Sequence, residues 1–213
     1  MEKIHLDGYK NFRKVYFKDN KKLFNELADG QNPHTMIITC SDSRVAPTKI
    51  LSATPGELFI TRNIGNIVPP YDRNKGATQS AIEYAVNVLK IPNIVILGHS
   101  SCGACAHLYH EKTEEEKHMD LDHIDKWLTL AYPAKHDAML ECLSNPNKNR
   151  AEITEKNNIL LSLQRLMTYP YIVKALEDKT LQIQGWWYDI GSGNLEVYNY
   201  DTKEFVKVDC SNE

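Results

Sequence analysis

The chain has 213 residues, of which 42% are hydrophobic and 25% charged, and these proportions exclude intrinsic disorder and fibrous repeats. Its 25 basic and 28 acidic residues give a net charge of −3, so we expect no basic surface for nucleic acid. The longest apolar run, at residues 94–97, is far shorter than the roughly 20 residues that cross a bilayer. The first residues lack the apolar stretch of a secretory signal, and five cysteines in such a chain are typical of ligands, catalysts or buried thiols rather than of a disulfide framework. We therefore expect a cytoplasmic protein with no nucleic-acid or membrane partner.

The first predicted elements are one helix and two strands. Apolar residues recur at three- and four-residue spacings over residues 9–27 among many lysines, which predicts an amphipathic helix ended by an Asp-Gly pair. Short apolar runs at residues 35–39 and 57–61 predict two buried parallel strands. A loop that contains glycine and two prolines follows over residues 62–75.

Helices and strands continue to alternate through the rest of the chain. The predicted elements are a helix at residues 76–90, a strand at 93–97, helices between 102 and 143, a helix at 153–167, and strands at 181–190 and 195–200 joined as an antiparallel hairpin. A strand, a helix and a strand in succession form the unit of a parallel sheet. We therefore predict an α/β fold with a mostly parallel central sheet flanked by helices and an antiparallel C-terminal strand or hairpin. No linker divides the chain, so we predict a single domain over residues 1–213 with an N-terminal helical arm over about residues 1–30.

Two loops that follow predicted parallel strands carry the residue types of a metal site. Cys40 comes directly after the strand at residues 35–39, and His99 and Cys102 follow the strand at 93–97. Ligands of open α/β sheets bind outside the carboxyl ends of the strands, where the strand order reverses, so these side chains converge if the two strands are neighbours. Two thiolates and one imidazole leave one position of a tetrahedral zinc ion open, as in catalytic zinc sites. The sequence therefore predicts a zinc site that is open on one side.

Five segments around these ligands resemble the β-class carbonic anhydrases. They are Cys-Ser-Asp-Ser-Arg at 40–44, Arg-Asn-Ile-Gly-Asn at 62–66, Ile-Glu-Tyr-Ala at 82–85, Gly-His-Ser-Ser-Cys-Gly at 98–103 and, more loosely, Gly-Trp-Trp-Tyr at 185–188. The resemblance is close from residue 31 to residue 104 and looser elsewhere. It implies a mostly parallel sheet flanked by helices and an assembly built of dimers, here a homodimer or a homotetramer.

The resemblance implies a catalytic dyad beside the metal. Cys40, His99 and Cys102 would bind zinc, and Asp42 and Arg44 would form an ion pair next to it. The expected reaction is the reversible hydration of CO₂ to bicarbonate and a proton, by attack of a zinc-bound hydroxide. Held by Arg44, the Asp42 carboxylate would accept a hydrogen bond from the hydroxide and orient it. In a closed state, Asp42 could instead become the fourth zinc ligand.

Substrate contacts also follow from the resemblance. Gln31 would hydrogen-bond bicarbonate, and the backbone amide of Gly103 would lie within reach of the bound substrate. An apolar pocket for CO₂ would be lined by Phe59, Ile64 and Tyr84.

One position departs from part of the family. Some bacterial members carry tryptophan three residues before the first ligand cysteine, where it helps to form an inhibitory bicarbonate site. This chain has Ile37 there. We therefore do not expect inhibition by bicarbonate through that site.

Three alternative functions stay open. The zinc would be non-catalytic if Asp42 or another group closed the fourth position permanently. Cys102 and Cys105 form a C-x-x-C motif of the kind that redox proteins use, although this hypothesis leaves Arg44 and Cys40 unexplained. The same hydroxide would also attack CS₂ or COS, so the motifs do not separate these substrates from CO₂.

Overall fold

The N-terminal segment folds as a small helical unit of its own. The structure is a computed structural model that describes residues 3–72 and 76–211, in which Met1–Asn32 and Pro33–Glu213 form two compact units. Three helices make up the first unit, namely α1 (Lys3–Lys14), α2 (Tyr16–Asp19) and α3 (Lys21–Asp29). The single helix predicted over residues 9–27 is therefore wrong. The predicted helix is interrupted between α1 and α3, and aromatic rings of these two helices pack on each other. The ring centroids of Phe12 and Phe24 are 5.8 Å apart.

A six-stranded sheet is the centre of the second unit. Its strands are β1 (Thr35–Cys40), β2 (Leu58–Asn63), β3 (Asn93–His99), β4 (Gln182–Tyr188), β5 (Leu195–Asn199) and β6 (Glu204–Lys207). The order is β2-β1-β3-β4-β5-β6, with β1 to β4 parallel and β5 and β6 antiparallel. This arrangement confirms the predicted α/β fold. Strand β6 escaped prediction because it is a short, mostly exposed edge strand.

Both faces of the parallel strands are buried, which explains their continuous apolar runs. Met36 and Ile38 of β1 lie in the larger core on one face. Ile37, between them, lies in a second core on the opposite face with Val95 and Leu97 of β3.

Helices cover the sheet and its carboxyl edge. They are α4 (Pro47–Ile50), α5 (Ala77–Glu83), α6 (Gly103–His107), α7 (Asp122–Leu128), α8 (Tyr132–Ser144), α9 (Arg150–Leu166) and α10 (Pro170–Glu177). The helix predicted at 76–90 continues from α5 as a π-helical turn over Tyr84–Val88. None of the helices in the described residues is long and apolar enough to span a membrane.

Helix α9 is the element that ties the sheet to the loop after β2. Its Asn158 donates a hydrogen bond to the Gly65 carbonyl at 2.7 Å, and Ser162 contacts the same loop through the Asn66 carbonyl and the Val68 amide. The predicted loop at 62–75 begins inside β2, and its residues 73–75 lie outside the described residues.

Candidate metal centre

The predicted ligands meet because their two strands are neighbours. Strands β1 and β3 are parallel and paired, with Thr39 opposite Leu97, while β2 flanks the other side of β1. The strand order therefore reverses at this point, which is where α/β sheets bind ligands. Cys40 ends β1, His99 ends β3, and Cys102 precedes the first residue of α6.

These three side chains form a compact buried cluster. One ligand atom from each of Cys40, His99 and Cys102 lies within 4.8 Å of the other two. The exposed fractions of Cys40, His99 and Cys102 are 5%, 0% and 2%. The cluster thus has the size and the ligand types of a Cys-His-Cys zinc site.

The His99 imidazole is oriented for metal binding. Its Nδ1 lies 2.9 Å from the Ser100 carbonyl, to which it donates, so Nε2 carries the lone pair. Among the described residues, the buried Nε2 has no hydrogen-bond partner. A buried, unpaired ring nitrogen beside two thiols fits a metal ion.

The two thiols need a nearby cation to ionise. The Cys102 thiol and burial raise the pKa of Cys40 to about 12. The Cys105 thiol raises the pKa of Cys102 to about 12. Zinc binds thiolates and deprotonates coordinating thiols. The Gly65 amide donates to the Cys40 sulfur at 3.3 Å, which supports negative charge on that atom.

Asp42 and Arg44 form the expected pair beside the cluster. Arg44 donates from Nε to Asp42 Oδ1 at 2.9 Å and from Nη2 to Oδ2 at 2.7 Å, and its backbone amide adds a bond to Oδ1. The Arg44 guanidinium holds the pKa of the Asp42 carboxyl well below its usual range. Asp42 Oδ2 lies 3.9 Å from His99 Nε2, so this oxygen faces the cluster. Arg44 is anchored in turn to the Ser101 carbonyl at 2.9 Å.

Two further residues support the site without having been predicted to do so. Arg62 donates to the carbonyls of Cys40 at 3.0 Å and of Asp42 at 2.7 Å. Glu155 on α9 accepts from the Cys102 amide at 3.0 Å and from the Trp187 indole, and burial raises the pKa of its carboxyl. Arg62 stands in a recognised motif, whereas nothing in the helical pattern around Glu155 marks it.

A cavity of about 340 Å³ opens onto the cluster. Its lining includes Cys40, Asp42, Ile64 and Gly103. The structure thus brings two of the predicted substrate-binding residues, Ile64 and Gly103, to one cavity with Cys40 of the cluster and Asp42 of the dyad.

The other predicted substrate residues do not line this cavity within the described part of the chain. Phe59 and Tyr84 stack on each other with ring centroids 6.0 Å apart, because Phe59 points from β2 onto the larger core. Tyr84 is 44% exposed. Gln31 is exposed and belongs to the N-terminal unit.

Comparisons with known proteins agree with this geometry. Residues 35–195 match the family model described as carbonic anhydrase. The carbonic anhydrase of Helicobacter pylori (strain J99) is 34% identical over 207 residues, which are 95% of this chain and 92% of that protein. The solved structure of the β-carbonic anhydrase CcaA has a TM-score of 0.88 at 34% identity and covers 95% of this chain and 97% of its own. A tetrameric β-carbonic anhydrase of the filamentous ascomycete Sordaria macrospora has a TM-score of 0.79 at 32% identity, with coverages of 91% and 94%.

Proposed function

The chain belongs to the β-class carbonic anhydrases, zinc enzymes that hydrate CO₂, and we propose how its own side chains carry out that reaction. The activity is the reversible hydration of CO₂ to bicarbonate and a proton, a lyase reaction. The observation that carries this conclusion is the Cys-His-Cys cluster. Beside it lies the Asp42 carboxylate, whose two oxygens are bound by Arg44.

We propose that Cys40, His99 and Cys102 hold the zinc ion. Zinc bound there supplies a nucleophile, since it lowers the pKa of water enough to provide hydroxide near neutral pH. The chain contributes a buried setting, a fixed imidazole orientation through the Ser100 carbonyl, and a Cys102 backbone held by Glu155.

Asp42 and Arg44 are proposed as the catalytic pair. Asp42 Oδ1 already accepts two donors from Arg44, and Oδ2 accepts one, so Oδ2 can accept another hydrogen bond. That bond orients the attacking hydroxyl group so that its lone pair points at the carbon of CO₂. Arg44 suits this role because its planar fork binds both carboxylate oxygens and stays protonated.

The substrate pocket is proposed to combine residues from two copies of the chain. Ile64 and Gly103 line the cavity of one copy and would contact CO₂ and bicarbonate there. Phe59, Tyr84 and Gln31 lie outside that cavity lining and would reach substrate only from a second copy.

Association into a homodimer or homotetramer is proposed for the same reason. The similar Sordaria macrospora enzymes are tetrameric, and the described residues of α1 to α3 include none that is buried. Ile4 and Tyr9 of α1 are 69% and 60% exposed. Analytical ultracentrifugation of the wild type and of an Ile4→Glu, Tyr9→Glu double variant tests this. We expect the variant to dissociate into smaller species. An assembly mass equal to that of the wild type would show that α1 is not part of the interface.

The domain and the compartment stay proposals. We propose that residues 1–213 act as one zinc-binding α/β domain with the helical unit as its arm. The five cysteines are free thiols, and thiolate ligands persist in a reducing compartment, which supports the cytoplasm.

Metal analysis combined with stopped-flow CO₂ hydration tests the function. Wild type should hold about one zinc per chain and hydrate CO₂ quickly, and Cys40→Ser should lose both. Cys210→Ser is the matched control, because Cys210 is exposed and lies outside the metal cluster. Zinc without hydration in the wild type would favour a non-catalytic metal site, and a titratable Cys102–Cys105 disulfide would favour a redox protein.

A further inference from the structure

His107 lines the same cavity as the metal ligand Cys40. It is the last residue of α6, four positions after Gly103 and therefore on the same helical face. Both residues line the cavity of about 340 Å³ together with Asp42. His107 thus shares a space with the proposed nucleophile while belonging to neither the ligand set nor the dyad.

The His107 side chain also reaches solvent. It is 32% exposed, and its Nε2 lies 3.9 Å from Asp125 Oδ1. Asp125 is shared with Lys112, whose Nζ lies 2.5 Å from Oδ2. Asp125 therefore places a negative charge on α7 beside His107, which reaches both the cavity and solvent.

A second imidazole continues from His107 towards the surface. The rings of His107 and His110 are 5.5 Å apart between centroids. His110 Nε2 lies 2.6 Å from Glu116 Oε2, and this contact lowers the pKa of Glu116 to about 2. Two imidazoles, each beside a carboxylate, therefore lie in sequence from the cavity to solvent.

The dyad itself is a poor proton acceptor. Hydration of CO₂ releases one proton for every bicarbonate formed, and that proton must leave the cavity before the next turnover. The Asp42 carboxylate already accepts three hydrogen bonds from Arg44, and Arg44 is itself protonated. A group that accepts and releases protons near neutral pH is required, and histidine is the side chain suited to that range.

We propose that His107 is the proton-transfer residue of this enzyme, accepting the proton in the cavity and passing it to buffer directly or by way of His110. The proposal rests on the function given above and names the route by which its proton leaves. A ring nitrogen of neutral His107 takes the proton released when water becomes the nucleophile, the imidazolium is held beside Asp125, and a buffer base in solvent removes the proton. Neutral His107 is then restored, so no proton accumulates over a turnover.

The charged and titratable groups around His107 come from α7, from the segment between α6 and α7, and from the far side of the cavity. They are Asp125 and Asp122 on α7, His110, Lys112 and Glu116 on the segment between α6 and α7, and Asp42 across the cavity. Four carboxylates against one lysine give this set a net negative charge, so the imidazolium of His107 meets no uncompensated cation.

A buffer-dependence experiment on zinc-loaded enzyme tests the proposal. In dilute buffer, His107→Gln should lower kcat on the order of 10²-fold while kcat/KM for CO₂ stays unchanged, because proton removal follows the step that forms bicarbonate. Concentrated imidazole buffer should restore kcat. His136→Gln is the matched control, since His136 is exposed on α8 and its side chain is 71% accessible.

Each other outcome overturns a specific statement. An unchanged kcat in dilute buffer, or a parallel loss of kcat and kcat/KM that imidazole does not restore, overturns the role of His107. The same buffer-dependent loss in His123→Gln instead would assign proton transfer to the neighbouring cavity of about 510 Å³, which His123 lines. A wild-type enzyme that does not hydrate CO₂ overturns the proposed function itself.

Chemical modification gives a readout that does not depend on activity. Diethyl pyrocarbonate labels accessible imidazoles, and mass spectrometry locates the labelled residues. Saturating bicarbonate should protect His107 and leave His136 labelled, with zinc content unchanged in His107→Gln. Labelling of His107 that bicarbonate does not alter would show that His107 does not share the cavity with the product, and the proposal would fail.

Discussion

Arg44 decides which way the Asp42 carboxylate faces. Its guanidinium binds both carboxylate oxygens and is itself anchored on the Ser101 carbonyl at 2.9 Å. Both carboxylate oxygens are thereby held by Arg44, and Oδ2 stays 3.9 Å from His99 Nε2. If Asp42 can close the metal site, as proposed for a closed state, Arg44 is the residue that opposes it.

We expect Arg44→Ala to lower CO₂ hydration on the order of 10- to 100-fold and to leave zinc content unchanged. The physical reason is that Asp42 loses its orienting partner while all three metal ligands remain. Stopped-flow hydration and metal analysis measure the two quantities. Lys49→Ala, at an exposed position on α4, should change neither, and near-normal turnover in Arg44→Ala would contradict the dyad.

The depressed pKa of Asp42 predicts how stability depends on pH. Arg44 lowers the pKa of Asp42 in the folded chain, so the ionised carboxylate stabilises the fold fully above its unfolded pKa of about 3.9. This contribution is lost as the pH falls from about 4 through the lower folded value. The free energy of unfolding of wild type should exceed that of Asp42→Asn by a constant amount from about pH 8 to pH 5 and by less below about pH 4.

Urea unfolding at a series of pH values, with zinc content measured alongside, tests this difference. Asp137→Asn is the control, because the Asp137 side chain is 68% exposed and should behave as wild type throughout. A difference that stays constant from pH 5 down to about pH 2 would mean that the pKa of Asp42 is not depressed in the folded chain.

Helix α9 sits close to the sheet because two glycines leave room for it. A Cβ at Gly98 of β3 would lie 2.7 Å from Ile159, and one at Gly185 of β4 would lie 2.8 Å from the same side chain. Ile159 is fully buried, and close-packed interiors accommodate added volume poorly. The close approach lets Glu155 of the same helix reach the Cys102 amide.

We expect Gly185→Ala to destabilise the fold by about 1–3 kcal/mol through overpacking against Ile159 and Leu163. Because α9 carries Glu155, zinc affinity should fall as well. Urea unfolding and competition with a zinc chelator measure the two effects. Gly8→Ala is the control: it lies on α1 with nothing within 4 Å of the added Cβ, and it should be neutral or slightly stabilising.

At the scale of the whole molecule, the candidate metal centre joins elements that are distant in sequence. Its proposed ligands come from the ends of β1 and β3 and from the start of α6, and α9 contacts both Cys102 and the Gly65 loop. A ligand that binds only this folded arrangement stabilises it by mass action.

Zinc removal should therefore lower the melting temperature, and added zinc should restore it. The stabilisation amounts to about 4 kcal/mol when zinc is present at about 1,000 times its Kd. Thermal unfolding with and without chelator measures the shift. Cys40→Ser should not respond to zinc, Cys210→Ser should respond as wild type does, and equal melting temperatures with and without zinc would contradict the coupling.

The sequence by itself determined the parallel strands, the loops that end them and the ligand types those loops carry. Continuous apolar runs report burial on both faces, and Cys40, His99 and Cys102 directly follow or end such runs. Only the tertiary structure decided the break of the N-terminal helix, the edge strand β6, and the position of Phe59 and Tyr84 away from the metal cavity. It also revealed the hydrogen bond that the Cys102 amide donates to Glu155, 53 residues further along the chain. Such a contact depends on how closely α9 packs on Gly98 and Gly185. A local sequence pattern reports the burial and periodicity of a segment, but it does not report which distant element packs against that segment.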